Sequence, residues 1–296
     1  MTMDKKNILS PADKLRQALE RSDYLVVPSC YDALSAKLIE QAGFPACFMS
    51  GFAASASRIG APDLGLMSYG EVVSQVGQIS EAVNIALLAD GDTGYGNAMN
   101  VRRTIKGMAR AGAACVLIED QVAPKRCGHT KGKDVVGFEE SCDRIRAAKD
   151  EVDAGSDVLI MARTDAIYTH GLSEAIKRAQ AYHELGADIM FVEAPASVED
   201  MELICREVPG YRLVNVVEEG TTPVLSKAEY AQIGYHLGVY PLTLMAAAMR
   251  AMVQALGHLD EKGPRPDLMS FAQLRQRIGF DDYYETSQKY DSARRG

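Results

Sequence analysis

No stretch of the chain approaches the roughly 20 consecutive apolar residues that a membrane-spanning helix needs, so no transmembrane segment and no membrane partner are expected. A basic excess is also missing. The 32 Lys and Arg stand against 40 Asp and Glu, a formal net charge of -8, with no cationic stripe to neutralise phosphates. That balance argues against nucleic acid as a partner. Small anionic substrates stay open, because local cations in a pocket override net charge. There is no C-x-x-C pair: the six cysteines, at 30, 47, 115, 127, 142 and 205, are dispersed. Cys47 and Cys115 lie inside apolar runs and read as small buried hydrophobes, a pattern that suits a reducing compartment. The charged start Met1–Lys6 has no apolar segment behind it, so a signal peptide is not expected and the expected location is the cytoplasm. Finally, no Gly-rich dinucleotide fingerprint follows the first apolar run, which counts against an open nucleotide-binding sheet.

What is present is a regular alternation. At 296 residues, with 47% hydrophobic and 24% charged residues, the chain has the composition of a globular domain with a sizeable core. Eight short apolar runs read as strands: 24–28, 46–50, 85–90, 115–120, 158–163, 188–193, 212–217 and 235–240. Each is nearly continuous, as expected for a strand covered on both faces of a parallel sheet. Helical patterns fall between them over 32–41, 101–111, 139–152 and 173–185, each followed within a few residues by glycine. Phrases of the type Gln-Ala-Gly-Phe, Arg-Ala-Gly-Ala and Glu-Leu-Gly-Ala recur before the second, fourth and sixth strands, echoing one βα unit. The expected fold class is α/β, a closed (β/α)8 barrel over 1–296 without an internal domain boundary, with a doubly wound sheet as the alternative. Beyond an eighth helix at about 241–257, a polar, broken extension with a further helical stretch at 270–278 is expected to pack on a neighbour.

Barrels of this type gather chemistry where strands end. Those ends carry Ser50-Gly51, Asp90-Gly-Asp92, Glu119-Asp120, Arg163-Thr-Asp165, Glu193, Asn215 and Glu218. Carboxylates from five strand ends repel one another unless a cation collects them, so a divalent metal is expected. Hard oxygens favour Mg²⁺, or Mn²⁺, over zinc. Asp90-x-Asp92 offers two such oxygens; as an alternative, both are turn formers beside Gly91 and Gly94. Asp63 and Glu119 are candidate outer carboxylates. Arg163 suits a bidentate grip on a substrate carboxylate, or else a structural ion pair with Glu193. His129 and His236 lie near presumed loops or strand ends, and His236 equally suits a core position.

Lys125-Arg126-Cys127-Gly128-His129 leaves the fourth strand as a polar segment. Cations crowding a thiol of ordinary pKa about 8.5 favour its thiolate and equip it for proton transfer. The alternative is a chance surface cysteine.

These residues together resemble one family. Tyr31–Ala36, Ser50-Gly51, Asp90–Asn97, Ile118–Gln121, Lys125–His129, Ala162–Asp165 and Gly186–Asp188 match the isocitrate lyase/phosphoenolpyruvate mutase superfamily. The K-[KR]-C-G-H segment points to its carbon–carbon lyase branch. The resemblance implies a homotetramer, a dimer of dimers, in which residues of 241–290 swap between subunits. It implies Mg²⁺ bound directly by Asp92, with Asp63, Asp90 and Glu119 through waters. Ser50, Gly51 and Arg163 would hold the substrate's oxo-acid portion, lined by Phe52, Gly128, Glu193, Asn215 and Pro241. Cys127 would be the acid/base, with Lys125 and His129 beside it. The implied substrate is a 2-hydroxy dicarboxylate cleaved between C2 and C3. Arginines that hold a third carboxylate in methylisocitrate lyases are replaced near Ala246 and Phe271, although Arg250 or Arg275 could stand in. A 2-alkylmalate such as 2,3-dimethylmalate is therefore expected ahead of 2-methylisocitrate. Oxaloacetate hydrolases place a serine near Pro241, which makes oxaloacetate hydrolysis or decarboxylation less favoured, and Cys127 counts against a phosphonomutase. An inactive barrel retained as a scaffold is the alternative outside enzymology.

Overall fold

The computed structural model describes residues 9–126, 132–264 and 266–290. Eight strands follow one another: β1 Leu25–Cys30, β2 Ala46–Met49, β3 Ala86–Asp90, β4 Cys115–Glu119, β5 Leu159–Thr164, β6 Ile189–Val192, β7 Tyr211–Asn215 and β8 Leu237–Tyr240. Each pairs in parallel with its sequence neighbour, and β8 pairs back onto β1, so the barrel is closed. All eight expected strands are present. The doubly wound alternative is excluded by the β1–β8 pairing, in which Leu25 faces Leu237 and Pro28 faces Tyr240.

The strands read as continuous apolar runs because both of their faces are covered. Cys47, Met49, Leu87, Ala89, Val116, Ile118, Ile160, Ala162, Met190 and Val192 face the surrounding helices. The alternate residues fill the barrel. Leu25, Ala46, Ala86, Cys115, Leu159, Ile189 and Leu237 belong to that interior, as do Val27, Phe48, Leu88, Leu117, Met161, Phe191, Leu213 and Val239 two residues further on. Ala12, Leu15 and Leu19 of the helix Pro11–Glu20 join the same cluster. Advancing once more by two residues along each strand gives Ser29, Ser50, Asp90, Glu119, Arg163, Glu193, Asn215 and Pro241. The inward series thus turns from apolar to polar at the carboxyl end of the barrel.

The four expected interstrand helices form as Ala33–Gln41, Ala98–Arg110, Phe138–Asp153 and Leu172–Glu184. Asp32 caps the first, accepting from the Ser35 N–H at 2.7 Å while the Ser35 hydroxyl answers the cap backbone. Such reciprocal capping satisfies N–H groups that the first helical turn leaves without partners. Gly112, which ends the second, takes φ +98°, a conformation that side chains with a Cβ avoid. Helices over Gly51–Ile59, Tyr69–Ala82, Val198–Glu207 and Lys227–Ile233 complete the units. Tyr69–Ala82 carried a legible start signal, since Ser68 and Glu71 form a capping box.

By contacts the chain divides into two compact units, 1–245 and 246–296. The barrel strands all lie in the first. In the second, Phe271–Ile278 and Phe280–Gln288 meet around Arg275, whose guanidinium lies 5.2 Å from the Phe280 ring and 5.5 Å from that of Tyr284. Among the described residues, no helix is long and apolar enough to cross a membrane.

Candidate active site

The polar layer opens into a cavity of about 70 Å³, lined by Ser50, Gly51, Phe52, Asp63, Asp90, Lys125, Arg163, Asn215 and Pro241. Nine residues singled out in the sequence therefore line one cavity. Arg126, Val217 and Leu242 also line it, as do Phe48, Leu117, Phe191 and Val239 from the apolar layer beneath. Cys127, Gly128 and His129 lie outside the described residues. His236 is elsewhere: it precedes β8 at the amino end of the barrel, and its Nδ1 accepts the Arg212 N–H at 3.2 Å. Burial, aided by the Arg212 charge, lowers its pKa.

The acidic side of the cavity is built from β3 and the chain after it. Asp90 ends the strand and accepts twice, from Gly51 N–H at 3.2 Å and from Asp92 N–H at 3.0 Å. The second bond closes a tight turn that places Asp92 at φ +51°, a left-handed conformation that Asp tolerates better than most residues. A side chain at position 51 would collide with Asp90, because a Cβ there would lie 2.5 Å from Oδ2. Glycine lets the helix Gly51–Ile59 begin directly against that carboxylate.

Three carboxylates converge on Lys125. Its Nζ lies 3.0 Å from Asp63 Oδ2 and 3.8 Å from Asp90 Oδ2, and it also bridges to Asp92. Burial works against the ammonium, yet Asp90, Asp92, Asp63 and Glu119 outweigh it and hold the Lys125 pKa well above its ordinary value. Burial, reinforced by Asp90 and Asp63 against the opposing pull of Lys125, pushes Asp92 up to about 6. The ammonium is thus drawn to the acids of β3 and of the segment around Asp63, while the thiol it was expected to accompany lies outside the described residues.

The hard-oxygen donor set suits a divalent cation. Among the described residues no three acids, histidines or cysteines are arranged as ligands around one empty point. What Asp63, Asp90 and Asp92 surround is a cation, the Lys125 ammonium, and buried Glu119 keeps an oxygen, Oε1, without a hydrogen-bond partner among the described residues. The set therefore fits a metal in charge and donor type, provided that Lys125 withdraws.

Opposite the acids, Arg163 ends the inward face of β5. Its Nε donates to Asp165 Oδ2 at 2.8 Å and its Nη2 to Asp165 Oδ1 at 2.9 Å. Glu193 lies 3.2 Å from Nη2 and Glu119 lies 3.4 Å from Nε. Asn215 Nδ2 donates toward both oxygens of Glu193 at 3.4 Å. Arg163 thus forms the ion pair with Glu193 raised as one alternative, and it also lines the cavity.

Two buried side chains were missed as functional candidates. Gln121 clamps the residue before Cys127, accepting from Arg126 N–H and donating to Arg126 C=O, each at 2.9 Å. Lys133 bonds Asp165 Oδ1 at 2.8 Å. Lys133 sits far from a strand end, and Gln121, just past the end of β4, carries no charge to mark it.

The sequence profile of the phosphoenolpyruvate phosphomutase family matches residues 15–259. The chain is 40% identical over 290 residues to the 2,3-dimethylmalate lyase of Eubacterium barkeri, covering 97% of this chain and 100% of that protein. It is 39% identical to a 2-methylisocitrate lyase of Aeropyrum pernix, covering 92% and 89% of the two chains. Among solved structures, a 2,3-dimethylmalate lyase superposes with TM-score 0.90 at 35% identity over 96% of this chain and 97% of the other. An oxaloacetate acetylhydrolase bound to 3,3-difluorooxalacetate gives TM-score 0.90 at 34% identity, covering 95% and 97%. A phosphonopyruvate hydrolase bound to oxalate and Mg²⁺ gives 0.83 at 29%, covering 95% and 99%.

Proposed function

From its membership of the phosphoenolpyruvate mutase/isocitrate lyase superfamily, to which the chain belongs, we propose that it is a divalent-metal-dependent carbon–carbon lyase acting on a small 2-hydroxy dicarboxylate of the 2-alkylmalate type. One observation carries the reading: the inward layer changes from apolar to Asp90, Glu119, Arg163, Glu193 and Asn215 at the carboxyl end, and these groups set an anion-holding arginine against an acid cluster.

Asp92, with Asp63, Asp90 and Glu119 around it, would hold Mg²⁺, which when bound supplies Lewis acidity for a developing negative oxygen. The phosphonopyruvate hydrolase structure with oxalate and Mg²⁺ supports that choice of metal. Arg163 takes the substrate's carboxylate. Ser50 and the amino end of the helix Gly51–Ile59 add a dipole favourable to anions. Cleavage requires the C2 hydroxyl to pass its proton to water as C2 becomes a ketone. The C2–C3 electron pair passes to C3 and spreads into the adjoining carboxylate. Cys127 gives its thiol proton to C3, releasing an α-oxo acid and a carboxylic acid, and the thiolate regains a proton from water. Arg126 stands at the cavity, and Gln121 holds its backbone, so the residue before the thiol is fixed.

The apolar lining of Phe52, Val217, Pro241 and Leu242 suits an alkyl group better than a third carboxylate. Arg126 is the observation that favours a second reading, 2-methylisocitrate, since it brings another cation to the same cavity. Oxaloacetate is the third arm, given the acetylhydrolase superposition. The test is Mg²⁺-dependent release of an α-oxo acid from 2,3-dimethylmalate, 2-methylisocitrate and oxaloacetate in parallel. We expect the first to be cleaved with the highest kcat/KM. If none is cleaved, and no α-oxo acid exchanges its C3 hydrogens with solvent, the lyase reading fails.

For assembly we infer that the second unit packs on another copy of this chain. Val253, Leu256, Leu259 and Phe271 are each more than 60% exposed in the single chain, an apolar load that soluble monomers seldom carry. Sedimentation should report a tetramer, and a monomer at micromolar concentration would remove that inference.

A further inference from the structure

Asp165 has no place in the proposed chemistry, yet it is wholly buried and grips the residue that does. It accepts Arg163 through Nε on one oxygen and Nη2 on the other, at 2.8 and 2.9 Å, a side-on fork. Held this way, the guanidinium keeps Nη1 as its remaining edge, and among the described residues Nη1 makes no hydrogen bond. Phe191 lies against the guanidinium, 5.2 Å from ring centroid to Cζ, which restricts it further.

Asp165 is itself held from two sides. Its backbone N–H donates to Asp120 Oδ1 at 2.9 Å. Its Oδ1, the oxygen that accepts from Arg163 Nη2, also accepts the Lys133 ammonium at 2.8 Å. Lys133 is 3% exposed at its side chain and does not line the cavity. It belongs to a segment anchored independently: Gly132 N–H donates to the Tyr168 hydroxyl at 3.1 Å, and Val136 N–H to Asp120 C=O at 2.9 Å. Arg163 meets three carboxylates, Glu119, Asp165 and Glu193, and Lys133 brings a second positive charge to Asp165. Two forces then compete for the guanidinium, its resident acids and an incoming substrate anion.

We propose that Asp165 and Lys133 are positioning residues for substrate anion binding: Asp165 turns Arg163 side-on so that Nη1 faces the cavity, and Lys133 offsets the charge of Asp165 so that Arg163 can still attract a carboxylate. The relay Lys133–Asp165–Arg163 makes anion affinity depend on a lysine that never touches the ligand. It rests on the reading of Arg163 as the substrate's carboxylate holder.

The test uses the full chain with Mg²⁺ and oxalate as probe, read by titration calorimetry, beside steady-state kinetics on whichever substrate is cleaved. Arg163→Met should weaken oxalate binding by about a hundredfold. Lys133→Met and Asp165→Asn should each weaken it by about tenfold and raise KM by a similar factor, with kcat changed less than about threefold. Lys133→Arg, which keeps the charge, should return affinity to within about threefold of the wild type, which a merely structural defect would not predict. Wild-type oxalate affinity in Lys133→Met, or no recovery in Lys133→Arg, overturns the relay. Should Asp165→Asn fail to fold, the two Lys133 variants decide alone, since both leave the Asp165–Arg163 fork in place. Loss of affinity in Arg163→Met with none in Lys133→Met sinks the relay and spares the proposed site. Full affinity in Arg163→Met sinks both.

Discussion

The ammonium of Lys125 lies 3.0 Å from the Asp63 carboxylate, at the centre of the acids that a divalent cation would need. The chain therefore supplies its own counter-cation. Removing that charge leaves Asp63, Asp90 and Asp92 facing one another in a site from which water is largely excluded, and buried charges without partners are costly. For Lys125→Met we expect metal-free stability to fall by about 2–4 kcal/mol. Added Mg²⁺ should restore more stability to the variant than it adds to the wild type, because ligand binding shifts unfolding by mass action. Thermal unfolding with chelator and with millimolar Mg²⁺ checks both statements. An equal Mg²⁺ increment in the two proteins contradicts the idea that lysine and metal share one place.

Asp92 gives the apo site a pH signature. Its folded pKa of about 6 exceeds the ordinary 3.8, so between those values the native state holds a proton that the unfolded chain has released. Stability from this group is fully present below about pH 4 and is lost as pH rises through about 6. Other carboxylates contribute slopes of their own, so the clean measurement is a difference. In chelator, the wild type should lose stability relative to Asp92→Asn as pH is raised from 4 to 6.5. A flat difference over that window would show Asp92 ionising at its ordinary value.

The barrel was legible because parallel strands covered on both faces leave unbroken apolar runs such as Cys115–Ile118 and Leu159–Ala162. Strand ends were legible for the same reason, since Asp90, Glu119, Arg163 and Glu193 interrupt those runs abruptly. The electrostatics were not. Lys125 reads in sequence as a neighbour of Cys127, whereas its position is set by Asp63, which is 62 residues away. Lys133 and Gln121 are recognisable only through what they touch, respectively Asp165 and the backbone of Arg126. The helix Gly51–Ile59 escaped notice because Gly51 and its run of small residues look like a loop. What fixes it is the Ser50 cap and the contact with Asp90.

Cys127 is assigned proton delivery and no part in holding the substrate. Cys127→Ser should lower kcat by about 10²–10⁴-fold, the usual yield of a positioned acid or base. Oxalate affinity in the presence of Mg²⁺ should stay within about threefold of the wild type. A variant that turns over normally, or one that loses oxalate binding along with turnover, is incompatible with that division of labour.

Asp120 provides a contrast, an acid beside the site whose work is structural. It is 2% exposed and accepts four hydrogen bonds: Thr164 Oγ1 at 2.7 Å, Asp165 N–H at 2.9 Å, Arg178 Nη1 at 3.0 Å and Tyr182 Oη at 3.1 Å. These ties join β4, β5 and the helix Leu172–Glu184. Asp120→Ala would leave Arg178, 3% exposed at its side chain, buried with Glu174 as its remaining acidic partner among the described residues. Breaking a buried pair from one side typically costs about 3–5 kcal/mol, and we expect a loss in that range by denaturant unfolding. Asp120→Asn keeps the shape and most of the acceptors, so it should cost less than half as much. Oxalate affinity measured well below the lowered midpoint should change little in Asp120→Asn, because Asp165 retains both Arg163 and Lys133. A stability loss below about 1 kcal/mol in Asp120→Ala would mean that the four bonds relax onto other partners.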